Sequence, residues 1–424
     1  MHRAVPGAAP TVATGSRRFL ILTQYFPPES GAAQVRLFAF ARELRRRGHE
    51  VRVVTAMPNY PLGEVFPAYR GRRIVKEELD GIQITRTWIY AATGRNALKR
   101  LLNYWSFSIT SLYACLRGPR PDYLFVESPP IFLGVTGYIC SRLRRVPLIL
   151  NISDLWPESA RALGIIRSGW MLWLAERMAA FLYRKAYRVS AQTEGLRSHI
   201  EQIVGEGNVM LFYNGVDTSL FHRINGASVS GIGRDQVVFL FAGVFGYAQD
   251  LDTVLDAAEL LRERRDIVFV LVGDGPSKAG IVETANKRGL DNVRFFDMQP
   301  LEAMPALFSA SRASIAPMRR SELFKSTRPS KIFPSMACET PVIFSGEGET
   351  AWLLEVSECG FVVPPETPAE LAAAIARLTD EPELARTLGR NGRALVEREF
   401  GWDRIVDSWL NELAGAVGAQ RSKS

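Results

Sequence analysis

Lys325, Arg328, Ser330 and Lys331 crowd one short stretch, ELFKSTRPSKIFPSMACETPVIFS, over 322–345. They stand where a basic, proline-marked turn would lead into a short helix ahead of the apolar strand 341–345. A helix start leaves backbone N–H groups unpaired and carries partial positive charge, so cations gathered there suit a phosphate. The same residues would equally make a solvated basic loop, and context has to decide. A second group lies in NISDLWPES (151–159), where Asp154 and Glu158 flank Trp156. A carboxylate just past an apolar strand can orient or deprotonate a sugar hydroxyl, or simply cap the helix that follows. Glycines form a third group: Gly31 with Ala32 and Ala33, Gly243 with Gly246, and Gly273-Asp274-Gly275. They allow a backbone to approach a ligand closely, or they supply turn geometry alone. Glu127, Asp297, Gln299, Glu347 and Glu349 add polar groups at or just past the ends of apolar runs.

These groups fall at the ends of short apolar runs that alternate with helical patterns. Phe19 to Thr23 reads as a strand. The helix after it carries Leu37, Phe40, Ala41 and Leu44 on one face, with Arg42, Arg45, Arg46 and Arg47 mostly on the other, and Gly48 stops it. Further strands are expected at 50–55, 82–87, 123–127, 147–152, 187–191 and 209–213. Residues 218–235 are polar and without apolar period, a hinge. Strands resume at 237–242, 267–272, 293–296, 313–316 and 341–345. Thr367-Pro-Ala-Glu370 reads as a capping box. The fold class is therefore α/β: two successive β/α domains, each a parallel sheet. The expected organisation is a disordered tail over 1–17, domains over 18–218 and 219–400, and a final helix with its tail over 401–424. In open α/β sheets the ligand lies beyond the carboxyl ends of the strands, and two such edges facing one another make a cleft.

The chain has 424 residues, a hydrophobic content of 47% and a charged content of 23%, as expected of a globular protein. Its net charge of +8 favours an anionic partner. Cys115, Cys140, Cys338 and Cys359 are far apart, and the four histidines are scattered. No metal site is expected, and a reduced compartment is. The best candidate for a membrane span, 101–116, is shorter than the roughly 20 apolar residues a crossing needs. The stretch 169–187 holds Trp170, Met171, Trp173, Leu174, Met178, Phe181 and Leu182 among Arg177, Arg184 and Lys185. It reads first as a core helix with a basic outer face and second as a helix resting on an anionic membrane. Residues 99–107 permit the same two readings.

Taken in order, PPESGAA before a helix ending in RRRGHEV, then DLWPES, YNGVD, LVGDG and RPSKIF with MA and PVI resemble glycosyltransferase family 4. The branch most resembled includes the bacterial N-acetyl-L-fucosamine transferases of O-antigen assembly. The likeness implies the GT-B fold, two Rossmann-like domains facing across a cleft, with the C-terminal helix crossing back to the first. It implies a retaining transferase of hexosyl or N-acetylhexosaminyl groups. The donor would be a nucleoside diphosphate sugar, a UDP-sugar above others, and the acceptor lipid-linked or a polysaccharide of the cell surface, as in lipopolysaccharide or exopolysaccharide. Carried over by position, Gly31, Ala32 and Ala33 form the loop facing donor and acceptor, and Asp154 stands where many members place a cleft histidine that contacts the donor sugar. Gly273 to Gly275 and Asp297 to Gln299 border the base, and Arg328, Ser330 and Lys331 hold the diphosphate. The family's paired glutamates fall at Ser326 and Pro334, which carry no carboxylate; Glu347 and Glu349 are the candidates to replace the ribose ligand. Pro334 implies a helix that starts near it or kinks, and Glu339 sits where a left-handed residue costs about 1 kcal/mol.

The reading is thus a cytoplasmic transferase on the inner membrane face, with no cofactor, no metal and no nucleic-acid partner. A non-catalytic nucleotide-sugar-binding protein and a nucleotide-sugar epimerase are the alternatives.

Overall fold

The computed structural model describes residues 15–29, 31–60, 63–92, 97–154, 168–233 and 235–421. The chain divides into two units, Met1–Tyr213 with Trp402–Ser424, and Asn214–Gly401.

Among the described residues the first unit has eight strands: β1 (Arg18–Leu22), β2 (Glu50–Ala56), β3 (Ile74–Leu79), β4 (Ile82–Thr87), β5 (Tyr123–Ser128), β6 (Leu148–Ile152), β7 (Arg188–Ala191) and β8 (Val209–Leu211). Their order is β3-β4-β2-β1-β5-β6-β7-β8. Along β1 the side chains alternate between two cores. Phe19 and Ile21 join Phe40, Leu44 and Trp409 on one face. Leu20 and Leu22 join Phe107, Leu133 and Leu182 on the other. A parallel sheet needs both faces covered in this way. The β3–β4 pair is antiparallel, a departure from the all-parallel expectation. Its turn is Asp80-Gly81, at φ 50° and 74°, the left-handed pair of a type I′ hairpin. That Asp-Gly between two alternating runs is the signal the sequence reading passed over.

The final helix, Trp402–Arg421, belongs to the first unit. Trp409 is fully buried, its ring edge-on to Phe40 at 5.0 Å, and its Nε1 donates to Ser190 Oγ at 2.8 Å. Arg47 Nε reaches Asp407 at 2.7 Å. Helix Gly169–Lys185 buries only Ala175, Ala179, Leu182 and Tyr183. Trp170, Met171, Trp173, Leu174 and Phe181 are exposed. The core reading of that helix is therefore corrected: a narrow side of Ala175, Ala179, Leu182 and Tyr183 packs inward and the broad aromatic side faces out. No helix among the described residues is long and apolar enough to cross a membrane.

Among its described residues the second unit holds six strands, all parallel: β9 (Val237–Ala242), β10 (Ile267–Val272), β11 (Val293–Phe296), β12 (Ala313–Pro317), β13 (Val342–Ser345) and β14 (Gly360–Val363). Their order is β11-β10-β9-β12-β13-β14. Helix Ile332–Ala337 starts two residues before Pro334. The proline thus lies in the first turn, where its missing N–H has no helical partner to lose, and neither a later start nor a kink follows. Glu339 has φ 55°, the left-handed conformation anticipated for it. Thr367 does not form the expected cap: its hydroxyl donates to Pro364 O at 2.6 Å instead of accepting from the helix.

Candidate functional site

Each sheet reverses its strand order once, at β1/β5 and at β9/β12, and the carboxyl edge there is where an open α/β sheet binds ligands. In the second unit β9 runs out into Gly243 and β10 into Gly273-Asp274-Gly275. The two loops lie on one another. A Cβ on Gly273 would stand 1.9 Å from Gly243 O, and one on Gly275 2.7 Å from Phe245 O. Phe245 N donates to Asp274 O at 2.9 Å. Loop-on-loop packing therefore already requires these glycines. Gly243 serves differently: a Cβ there would meet Lys331 Cε and Nζ at 3.3 Å.

Lys331 is the N-cap of helix Ile332–Ala337. The residue as a whole is partly covered, but its ammonium is enclosed. The ammonium lies 4.1 Å from the centre of the Phe241 ring and donates to Gln249 Oε1. Gln249 in turn donates to Met318 Sδ, just past β12, at 3.6 Å. Among the described residues no carboxylate pairs with Lys331. Burial alone pushes its ammonium down to about 7, because a charge taken from water without a counterion favours its neutral form.

The other cations of the stretch are matched. Arg328 is buried with Nε 3.1 Å from Glu349 Oε2, and Lys325 lies 2.7 Å from Glu322 and 3.5 Å from Glu347. Gly348 lets the segment close up, since a Cβ there would stand 2.0 Å from Lys325 O. The two carboxylates proposed for the ribose and the two cations proposed for the phosphates thus face each other. Ser330 is partly exposed beside them. Asp297 is exposed and held by Lys278 at 2.6 Å, and Gln299 Nε2 donates to Asp297 O at 3.0 Å. Gly246 O accepts from Gln249 N at 3.0 Å.

In the first unit Gly31 is the extended N-cap of helix Ala32–Arg46. Asp154 is exposed just past β6, and Glu158 lies outside the described residues. Glu127, expected among the ligand-facing groups at the strand ends, is instead taken up by a buried cluster at the reversal point, and its partner Arg36 was missed. Arg36 and Glu127, both buried, pair at 2.5 Å. Asn151 Nδ2 donates to the second oxygen of Glu127 at 2.6 Å, and the Gln192 amide oxygen accepts from Arg36 Nη2 at 2.9 Å. The signal was there: Arg36 precedes Phe40 by four residues and Leu44 by eight, so it shares their buried face. Glu29 was missed too. It is buried, accepts from the backbone N–H of Phe26, Asn59 and Tyr60 at 3.2, 2.7 and 2.8 Å, and is pushed up to about 7 by that burial.

Two family descriptions match the chain: "Glycosyl transferase 4-like domain" over residues 31–215 and "Glycosyl transferases group 1" over 226–395. The putative colanic acid biosynthesis glycosyl transferase WcaI of Escherichia coli K12 is 27% identical over 391 residues, 88% of this chain and 93% of its own. Among solved structures, sucrose-phosphate synthase from Thermosynechococcus elongatus superposes with a TM-score of 0.74 at 18% identity, over 96% of this chain and 100% of that one. Anabaena HepE in complex with UDP-glucose gives 0.71 at 19%, over 94% and 100%.

Proposed function

The chain belongs to glycosyltransferase family 4, with the GT-B fold, and on that footing we propose that it transfers a sugar, with retention, from a nucleoside diphosphate sugar to a cell-surface glycan or its lipid-linked precursor. The observation that carries this is Lys331, an enclosed ammonium that no carboxylate among the described residues pairs with, at the carboxyl edge where β9 and β12 part. A diphosphate is the partner that environment lacks. In the reaction the bond from the anomeric carbon to the phosphate oxygen breaks, one to the acceptor oxygen forms, and the acceptor's hydroxyl proton passes to the departing diphosphate. Charge grows on the departing diphosphate, and a fixed cation in a dry site stabilises it strongly. Arg328 is held by Glu349 and is available to the phosphates only in exchange for that partner. These cations do the charge stabilisation in this reading, with no metal assigned. UDP is the favoured nucleotide on the likeness to HepE, whose structure holds UDP-glucose. WcaI, named for colanic acid biosynthesis, supports a surface glycan. Asp154 and Glu158 are assigned to the sugar and acceptor, Gly31 and Ala32 to the loop facing them. Gly243, Gly246, Gly273, Asp274, Gly275 and Gln299 border the nucleotide, and Ser330 and Lys325 its phosphates. The exposed aromatic side of helix Gly169–Lys185, with Arg184 and Lys185 in its last turn, fits contact with an anionic bilayer.

The test is thermal unfolding with UDP, GDP, UMP and their sugar conjugates. Ligand at 100 times its dissociation constant adds about 2.7 kcal/mol. UDP and UDP-sugars should raise the melting temperature, and Lys331→Met should remove the rise. A shift that survives Lys331→Met overturns the assignment. A second reading, a donor-binding protein without transfer, is favoured by Ser326 and Pro334 in place of the family's glutamates. It predicts the same shift with no UDP released on adding glycan acceptors.

A further inference from the structure

A groove of about 690 Å³ lies in the first unit between the β3–β4 hairpin and helix Ala97–Cys115, lined by Tyr69, Trp88, Ile109 and Tyr113 with Arg72 and Arg73 at its rim. Its size is that of a small-molecule site, roughly 300–1,000 Å³. None of its lining residues is acidic. The helix that forms one wall carries an outward apolar stripe: Leu98, Leu102, Trp105, Ile109 and Tyr113, with Leu116 just beyond its end, are all exposed and three or four residues apart. That spacing keeps them on a single face. The stripe leads into the groove at Ile109 and Tyr113, which are 64% and 51% exposed. A solvated surface does not ordinarily hold so long an apolar seam. Arg72 and Arg73 are exposed, and among the described residues neither is in an ion pair.

We propose that this groove binds a lipid phosphate, its hydrocarbon chain along Trp88, Ile109 and Tyr113 and its phosphate on Arg72 and Arg73. An apolar trough with unpaired guanidinium groups at the rim matches an amphiphile whose charged end is anionic. It does not match a neutral chain or a free phosphate. The proposal rests on the lipid-linked reading of the acceptor and says where that lipid sits. It is independent of Lys331 and the donor.

The probe is 12-bromododecyl phosphate, kept below its micelle concentration, added to the full chain while tryptophan emission is followed. Bromine quenches an indole only near contact. Saturable quenching is expected, and it should vanish in Trp88→Phe. The double variant Ile109→Glu, Tyr113→Glu changes exposed residues only and should keep the parent melting temperature and UDP response. It should weaken binding at least tenfold. Arg72→Gln with Arg73→Gln should weaken binding of the phosphate probe but not of 12-bromododecanol. Quenching that persists in Trp88→Phe, an equal affinity for the alcohol in the parent chain, or binding untouched by the Glu pair overturns the proposal. Loss of the UDP response with the groove intact overturns the donor assignment instead.

Discussion

Arg36, where the first sheet reverses its strand order, and Lys331, where the second does, are both cations drawn in from water. Arg36 meets a carboxylate at 2.5 Å, and an asparagine and a glutamine complete the cluster. Lys331 meets an aromatic ring and an amide oxygen. A compensated charge holds a structure in place. An uncompensated one is a cost to the empty protein that a ligand of opposite sign can lift. The same topological position thus holds a compensated charge in one unit and, in the other, a cation that no carboxylate among the described residues compensates.

The contrast breaks most visibly under mutation. Glu127→Ala would leave Arg36 buried without its carboxylate, a loss of about 3–5 kcal/mol. Lys331→Met removes a lone ammonium and keeps the apolar stem, so it should leave unliganded stability unchanged or raise it, while abolishing the UDP shift. Urea unfolding of both variants checks this. Equal losses in the two would erase the distinction.

Glu29 sharpens the contrast because it is a first-unit acid that burial outweighs. Glu412 on the final helix, accepting from Leu211 N at 3.4 Å, is also raised to about 7 by burial. The sign follows from where the proton binds. Between the ordinary carboxylate value and about 7 the folded chain holds protons that the unfolded chain has released. The favourable contribution is therefore complete below pH 4.5 and is lost as pH rises through 7. Stability should fall between pH 5 and 8, by on the order of 2 kcal/mol for each acid. Glu29→Gln and Glu412→Gln should flatten the curve. An unchanged slope would show that both acids are ionised in the folded chain.

Lys331 has the opposite sign. Its folded value near 7 lies below that of the unfolded lysine, so the unliganded chain gains stability as pH rises from 7 to 10. Diphosphate binding should restore the proton. At pH 8 UDP should bind with uptake of close to one proton, read by calorimetry in two buffers of different ionisation enthalpy. The uptake should shrink as pH is lowered toward 7, where Lys331 already holds much of its proton. Affinity should weaken by up to about tenfold per pH unit above 7.

Both sheets were legible because alternating apolar runs and helical spacing are local properties of the chain. The β3–β4 hairpin was legible and missed, since Asp80-Gly81 was not weighed as a turn. Arg36 went unweighed beside Arg42, Arg45, Arg46 and Arg47, although its spacing from Phe40 and Leu44 puts it on their buried face. Lys331 stood out as a cation, but its enclosure did not. That depends on Phe241 and Gln249, some eighty to ninety residues away, which come to it only through the order of the strands. The glycines of the β10 loop show the reverse limit. Their type suggested a ligand, while the closeness of two loops already requires them.

The smallest effect tests whether the Lys331 helix is held under strain. Glu339 follows Cys338, the C-cap of helix Ile332–Ala337, and is left-handed at φ 55°. A side chain in that conformation costs about 1 kcal/mol, part of which glycine gives back through the freedom of the unfolded chain. The neighbouring backbone is closely fitted, since a Cβ on Gly389 would stand 2.0 Å from Glu339 O. Removing the Glu339 side chain leaves that contact intact. Glu339→Gly should therefore raise stability by a few tenths to about 1 kcal/mol and leave UDP affinity within twofold of the parent. The helix is only six residues long, with Lys331 capping one end and Glu339 just beyond the other. A backbone that relaxed at Glu339 would turn the ammonium away from Phe241. A weaker UDP response in the more stable variant would then mean that the strain helps to aim Lys331.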